Sequence, residues 1–173
     1  MSGRLLGILL LGFTAVFAAA LWYFQIYAFY QTETPEGFEV RLTSLVSGQP
    51  EKVPASDITV LDAETSPLKF RACFRLTNSL LMLTETYVLT EEATPLQSPS
   101  WFECFDAAQL TEDLETGKAL AFVGQAHISY GIDRIVAVYD DGRGFAWHQI
   151  NECGTAAFDG KELPAGCPDK PES

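Results

Sequence analysis

The sequence predicts an α+β fold, with one N-terminal transmembrane helix followed by a small, mostly antiparallel sheet domain and one packed helix. Three observations lead to this class. An uncharged apolar run opens the chain, alternating apolar and polar residues recur through the rest, and one central segment carries a helix-capping pattern. The 173 residues suffice for such an anchor and one ordinary domain with its own core.

The N-terminal run from Leu5 to Tyr30 contains no charged residue. A helix needs about 20 apolar residues to cross the hydrocarbon layer, and the stretch from Leu5 to Phe24 meets this requirement. Residues 1–30 are therefore predicted to be a transmembrane anchor. Aromatic rings that favour the membrane–water interface cluster near its C-terminal end: Trp22, Tyr23, Tyr27 and Tyr30.

The charges that flank the apolar run predict its orientation. Arg4 and the amino terminus precede it, whereas Glu33 and Glu36 follow it. Because the basic flank stays in the cytoplasm, the domain is expected outside. A cleaved signal peptide is the alternative, since Ala18 to Ala20 resembles a cleavage site. The apolar run continues beyond these alanines to Tyr30, which favours an uncleaved anchor.

Residues 31–37 form a predicted polar connector that contains Pro35 and Gly37, and residues 38–173 form the predicted globular domain. Alternation from Phe38 to Thr43 predicts a half-buried strand, and a loop follows around Gly48, Pro50 and Pro54. Ile58 and Val60 suggest a short strand. The cleanest alternation in the chain runs from Leu68 to Leu76, with Lys69, Arg71, Cys73 and Arg75 on the opposite face.

The segment from Leu80 to Leu89 is apolar and β-prone at its end. Asp106 begins the only convincing helix of the soluble part, because it can cap the helix and Gln109 completes a capping-box pattern. Leu110 and Leu114 fall on one face of this helix, which is expected to end near Gly117 and Lys118.

Leu120 to Val123 begins another predicted strand. The turn sequence Asp140 to Gly144 predicts a hairpin, because apolar segments flank it on both sides, Ile132 to Tyr139 and Phe145 to Ile150. The final stretch, Asn151 to Ser173, is rich in Gly, Pro and charge and is expected to be irregular.

Four cysteines lie beyond the anchor, on the side where thiols are normally oxidised. Two disulfides are therefore expected. Three connectivities are open, of which Cys73–Cys104 and Cys153–Cys167 are favoured because the second pair would tie down the irregular tail. A redox pair or a copper site built from Cys153, Cys167 and His148 is the alternative, and the absence of a Cys-x-x-Cys pattern weighs against both.

No catalytic residue, cofactor site or metal site is predicted, and an enzymatic role is not expected. His127, Ser129 and Asp133 are residue types of a hydrolytic triad, but no nucleophile elbow surrounds Ser129, so a solvated loop is the preferred interpretation. His148 is expected to be a core or half-buried histidine. Asp140 and its neighbour Asp141 are expected to be turn residues, since the oxygen spacing of a calcium loop is missing.

The net charge is −12, and the residues after position 30 include ten basic and 23 acidic side chains. Such a surface disfavours nucleic acid and anionic lipid headgroups and would steer basic proteins towards it. Simple solubility is the preferred explanation of this charge.

Several segments resemble a family of uncharacterised, single-pass proteins of alphaproteobacteria. They lie at both ends of the anchor, at three of the four cysteines and in the last two predicted strands: residues 3–7, 27–30, 70–74, 101–106, 130–134, 146–151 and 166–168. The resemblance implies a bacterial inner membrane with the domain in the periplasm. Members sometimes carry a histidine-kinase label, which this chain does not support because it is short and has no nucleotide-binding motif.

Three functions remain open. The first is a non-enzymatic accessory, assembly or interaction protein that is embedded in the lipid bilayer and contacts another membrane protein, for example a respiratory complex, or a basic periplasmic protein. The second is a periplasmic sensing or ligand-binding module, which a pocket in the domain would favour. The third is a metallochaperone or redox protein that uses Cys and His, which requires free thiols.

Overall fold

The computed structural model describes residues 2–33 and 37–169 and confirms the predicted α+β class. An N-terminal helix, α1 (Gly3–Ile26), precedes a domain with one six-stranded sheet and one two-stranded sheet. Met1, residues 34–36 and residues 170–173 lie outside the described residues, so part of the predicted connector and of the irregular tail is not described.

Helix α1 is apolar around its whole circumference, and none of its residues is buried against the domain. Its most apolar 18-residue window has a mean hydropathy of 2.3. At 24 residues it is about 36 Å long, given a rise of 1.5 Å per residue. By length and composition it can cross a membrane, as the sequence predicts, and a signal sequence would share these properties.

The six-stranded sheet is antiparallel throughout, and its strands lie in the order β1-β4-β5-β8-β7-β6. Its members are β1 (Gln31–Glu33), β4 (Ala55–Asp62), β5 (Arg71–Leu76), β6 (Ala119–Ser129), β7 (Ile132–Tyr139) and β8 (Arg143–Ile150). The predicted β7–β8 hairpin is confirmed. Gln31–Glu33, at the start of the predicted connector, pairs with Asp62 to Val60 of β4.

The small sheet consists of β2 (Arg41–Thr43) and β3 (Pro50–Lys52). Phe38, Val40 and Leu42 are buried, as their alternation predicts, but the hydrogen-bonded strand is shorter than predicted. The predicted loop at Pro50 is instead the returning strand of this hairpin. A single bridge joins Ser44 to Tyr87, and another joins Leu89 to Phe122. The segment 87–89 thereby connects the hairpin to the edge strand β6.

Both faces of the six-stranded sheet are covered, so the core has two layers. The first face packs against the β2–β3 hairpin and α2 (Leu80–Thr86), around Phe122 and Leu83. The second packs against α3 (Ala107–Glu115) and the long segment that precedes it, around the fully buried Trp147. Central strands such as β5 are therefore buried on both sides, and the sequence prediction of one polar face fails at Arg71 and Cys73.

Helix α3 is confirmed, and Asp106 caps it by accepting hydrogen bonds from the backbone N–H groups of Ala108 and Gln109. The predicted capping box does not form, because the Gln109 amide donates to Asp113 one turn later.

Helix α3 is not the only helix of the domain, which corrects the sequence prediction. The segment predicted as β-prone forms α2, capped by Ser79, and the tail predicted as irregular contains α4 (Glu152–Phe158), capped by Asn151. Both helices have seven residues and too few turns to show an apolar period, so only their cap residues could have revealed them.

Candidate functional site

The C-terminal end of α1 is packed against the domain through Trp101, in the segment that covers the second sheet face. Its indole Nε1 donates to the carbonyl oxygen of Ile26 at 2.9 Å. This carbonyl belongs to the last turn of α1, where no partner within the helix is available. The indole ring also stacks on Tyr27, with ring centroids 6.1 Å apart, and meets Tyr30 edge-on at 6.0 Å. Lys69 adds a cationic contact, with Nζ 5.1 Å from the centre of the Tyr30 ring.

The segment that carries Trp101 is fastened to strand β5 at two points. The guanidinium of Arg71 donates to the carbonyl oxygens of Leu96 and Gln97 at 2.8 and 2.9 Å. Two residues further along the same face of β5, Cys73 forms a disulfide with Cys104. Trp101 lies between these two attachments, so the contact with α1 is positioned from the centre of the sheet.

The predicted interface residues divide into two groups. Tyr27 and Tyr30 face the domain through Trp101, whereas Trp22 and Tyr23 are exposed on α1, and Arg4 is exposed near its start. Trp22 meets Tyr27 edge-on at 5.3 Å, which extends the aromatic group back along the helix. The location of this group at a membrane interface stays a prediction.

The cysteines form the two disulfides that the sequence favours, Cys73–Cys104 and Cys153–Cys167. No free cysteine occurs among residues 2–33 and 37–169. The alternative copper site is not present, because the sulfurs of Cys153 and Cys167 are bonded to each other. Both ring nitrogens of His148, the third residue of that alternative, have hydrogen-bond partners. Over the described residues no group of three or more His, Cys, Asp or Glu is arranged to hold a metal ion.

A histidine–arginine pair lies where β7 and β8 are paired, with His148 buried and Arg134 half-buried. Arg134 Nε donates to Nε2 of His148 at 2.9 Å. Since a guanidinium only donates, Nε2 accepts and the proton of the neutral ring sits on Nδ1, which donates to the carbonyl oxygen of Pro67 at 2.6 Å. Burial and the positive charge of Arg134 lower the pKa of His148 to about 4, so the ring is neutral at physiological pH.

Arg134 and His148 are also stacked on aromatic rings. The guanidinium carbon of Arg134 is 4.4 Å from the centre of the Phe70 ring and 5.0 Å from that of Phe38. The His148 ring stacks on Phe70 with centroids 4.4 Å apart. Burial lowers the pKa of Arg134 to about 10, so this guanidinium keeps its charge at neutral pH but has lost much of its hydration.

A cavity of about 320 Å³ opens in front of Arg134. Its charged and polar walls are Glu39, Arg41, Asp62 and Gln125, and Phe38 and Phe70 are its aromatic walls. Glu39 is held by Arg41 and Lys52 at 2.9 and 2.6 Å, and these two cations lower the pKa of its carboxyl, with Lys52 contributing most.

The remaining polar groups have structural roles. Asp133 Oδ1 accepts from the backbone N–H of His127 at 2.8 Å and from the Asn151 amide at 2.7 Å, which braces the β6–β7 turn against α4. No contact joins Ser129 to His127 or Asp133 among the hydrogen bonds of the described residues, so the triad types do not assemble as a triad. Asp140 and Asp141 lie in the β7–β8 turn as predicted, and Asp141 pairs with Arg143 at 2.7 Å.

A second polar cluster joins α3 to the sheet. Asp113 is buried and accepts from the Tyr139 hydroxyl at 2.8 Å, from Lys118 at 3.0 Å and from Gln109 at 3.1 Å. Hydrogen bonding to Lys118 lowers the pKa of this carboxyl, and burial together with the Asp113 bond raises the pKa of Tyr139 to about 12. Both oxygens of the Asp113 carboxylate accept hydrogen bonds, so the cluster holds α3 against the sheet.

Sequence reasoning missed Trp101 and Arg134 as site residues. The only signal for Trp101 was an aromatic residue close to a cysteine, and for Arg134 a cation within an otherwise apolar strand.

One comparison with known proteins gives a match. The model of a family described as a family of unknown function, DUF6446, matches residues 40–168. No curated protein and no solved structure matches the chain.

Proposed function

The chain belongs to the DUF6446 family of unknown function, so its role has to come from its own residues, and we propose that it is a membrane-anchored interaction protein. In this proposal α1 spans a bacterial inner membrane and the domain lies on the periplasmic side. The domain has no enzymatic role there and serves as an accessory or assembly subunit for another membrane protein, or recruits a basic periplasmic protein.

The observation that carries the proposal is the hydrogen bond from Trp101 to Ile26, together with the stacking of the same ring on Tyr27. A domain on a flexible tether samples many orientations. Here the domain is packed against the last turn of the apolar helix by a segment that is attached twice to β5. A fixed orientation presents the same surface to neighbours in the membrane at all times, which lowers the entropy lost on association.

The side of the membrane follows from charge and covalent chemistry. Arg4 lies in the first turn of α1, before its uncharged run, and basic residues stay in the cytoplasm. Two disulfides persist in an oxidising compartment, which in a bacterium is the periplasm. Both features support the same orientation.

The acidic composition of the residues after position 30 supports a basic partner. A net charge of −13, from ten basic and 23 acidic residues, accelerates the approach of a cationic protein and slows that of an acidic one. Association with a basic partner should therefore slow as the salt concentration rises, because the Debye length falls from about 30 Å at 0.01 M to about 10 Å at 0.1 M.

Co-purification tests the proposal. Tagged full-length protein and the variant Trp101→Ala are extracted from the native membrane in mild detergent, and partners are quantified by mass spectrometry. A partner in constant ratio to the wild type is expected. Trp101→Ala should retain about fivefold less of it, because a lost hydrogen bond of about 1 kcal/mol loosens the orientation by that factor.

Trp22→Ala is the matched control, since this tryptophan is exposed on α1 and its ring meets Tyr27 rather than the domain. It should retain the partner. Equal retention of the partner by all three proteins would show that binding does not depend on the orientation of the domain. A wild-type protein that purifies without a partner would overturn the interaction role. Protease digestion of intact spheroplasts decides the topology, because a domain that resists digestion lies in the cytoplasm.

A further inference from the structure

Arg71 is buried in the sheet and Arg134 is half-buried, and they differ in how their N–H groups are used. Arg71 donates to four carbonyl oxygens, those of Leu68, Phe70, Leu96 and Gln97, so its burial is compensated. Arg134 makes one hydrogen bond among the described residues, from Nε to His148. No carboxylate of the described residues lies within ion-pair distance of Arg134. Its two Nη groups therefore have no protein acceptor there.

The unused edge of Arg134 faces the cavity of about 320 Å³ described above. This volume is at the lower end of the range of small-molecule pockets, about 300–1,000 Å³. The amide of Gln125 lines the same cavity and makes no hydrogen bond with the described residues. A guanidinium edge and an amide N–H in one cavity are donors that match the geometry of an oxyanion.

The charges of the cavity lining are balanced, although the whole chain carries a net charge of −12. The lining has two cations, Arg134 and Arg41, and two carboxylates, Glu39 and Asp62. Glu39 is already bridged by Arg41 and by Lys52, which lies outside the lining. Asp62 favours the charge of Arg134 from beyond ion-pair distance.

The Arg134 guanidinium is also held in place before any ligand arrives. His148 fixes Nε, and the carbonyl oxygen of Pro67 fixes the His148 ring. The Phe38 and Phe70 rings, whose centroids are 5.2 Å apart, lie side by side against the guanidinium. A donor that is already immobilised loses little entropy on binding.

We propose that this cavity is a binding site for a small oxyanion, a carboxylate or a phosphate, which takes two hydrogen bonds from the Nη groups of Arg134 and a third from Gln125. This site goes beyond the interaction role proposed above, and neither depends on the other. The aromatic rings leave the guanidinium edge free for the carboxylate or phosphate group.

Titration of the full-length protein in zwitterionic nanodiscs with inorganic phosphate, and separately with acetate, tests the site at constant ionic strength kept with NaCl. The Nε resonance of Arg134 and the ring resonances of His148 report binding by NMR. A saturable shift of both groups with at least one anion is expected. The response to phosphate and acetate then identifies which oxyanion the site prefers.

Three variants separate the site from general anion effects. Arg134→Met should abolish the saturable response, read from His148, and Gln125→Ala should weaken it about tenfold, as loss of one hydrogen bond to a charged group predicts. Arg143→Met should leave it unchanged, because this arginine is exposed and paired with Asp141.

Gln125→Ala keeps the Arg134–His148 pair, so it stays informative even if Arg134→Met fails to fold. The proposal is overturned if neither anion gives a saturable shift in the wild type. It is also overturned if Gln125→Ala binds as tightly as the wild type, or if Arg143→Met loses the response.

Discussion

Removal of the Cys153–Cys167 disulfide should destabilise the domain moderately while α4 stays folded. The loop that it closes has a sequence separation of 14 residues. The loop-entropy relation gives about 3 kcal/mol for a loop of this size. This value is an upper figure here, because residues 159–166 are exposed and gain freedom in the native state as well once the bridge is cut. At about 3 °C per kcal/mol, the Tm of the double variant Cys153→Ser/Cys167→Ser should fall by at most about 10 °C.

The same variant should change hydrogen exchange in one place. Helix α4 keeps its Asn151 cap, in which the side-chain oxygen accepts from the Gly154 N–H at 3.0 Å, and Ala156 stays buried. Exchange protection should therefore persist in α4 and disappear after Asp159. Thermal unfolding by circular dichroism and exchange mass spectrometry of the full-length protein measure the two effects.

The second disulfide provides the comparison. Cys73–Cys104 spans 31 residues and involves a buried sulfur, so Cys73→Ser/Cys104→Ser should cost about 4 kcal/mol from the loop alone, and more from packing. A larger Tm loss for the tail disulfide than for this one would refute the reasoning. So would unfolding of α4 together with the tail.

Two further predictions concern the turn and the buried histidine. Gly131→Ala should lower the free energy of unfolding, measured in urea, by about 2 kcal/mol or more, because a Cβ at this φ of +70° would lie 2.3 Å from the Gly154 Cα. Gly160 has a similar φ of +66° but open space around it, so Gly160→Ala should cost only about 1 kcal/mol. Equal losses in the two variants would contradict the role of the contact with Gly154. His148 faces Arg134 and Arg71 without a carboxylate partner, and its pKa of about 4 lies below the value of about 6.5 of an unfolded chain, so its contribution of about 3 kcal/mol is present above pH 6.5 and is lost as the pH falls towards 4. An NMR titration in which the His148 ring protonates near pH 6.5 would disprove this.

Local signals in the sequence predicted the elements that depend on local chemistry. The β7–β8 hairpin has its turn residues between two apolar runs, and α3 has Asp106 before an amphipathic period, so both could be found without knowledge of the rest of the chain. Helices α2 and α4 have the same kind of cap, Ser79 and Asn151, but each has only seven residues. Periodicity over seven residues does not distinguish such helices from strands.

The polar residues of the candidate site could not be assigned from the sequence, because burial and partners depend on the tertiary structure. Arg71 and Arg134 both stand in predicted strands, next to apolar residues, and an alternating pattern places such cations on a solvated face. In the structure one is covered by the segment at Leu96 and the other lies over Phe70. Two of the four acceptors of Arg71, the carbonyl oxygens of Leu96 and Gln97, lie 25 and 26 residues away in the chain, and no local pattern encodes such contacts.

The attachment of the domain to α1 shows how such distant contacts combine. Arg71 and Cys73 are two residues apart in β5 and therefore point to the same face, where one holds Leu96 and Gln97 and the other holds Cys104. The segment between these attachments cannot move as a whole relative to the sheet. Trp101 of this segment contacts Ile26 at the end of α1. One disulfide and two hydrogen bonds to β5 therefore fix the position of the helix end relative to the sheet. Because the disulfide is one of the two attachments, an oxidising compartment is a condition for the fixed orientation on which the proposed interaction role depends.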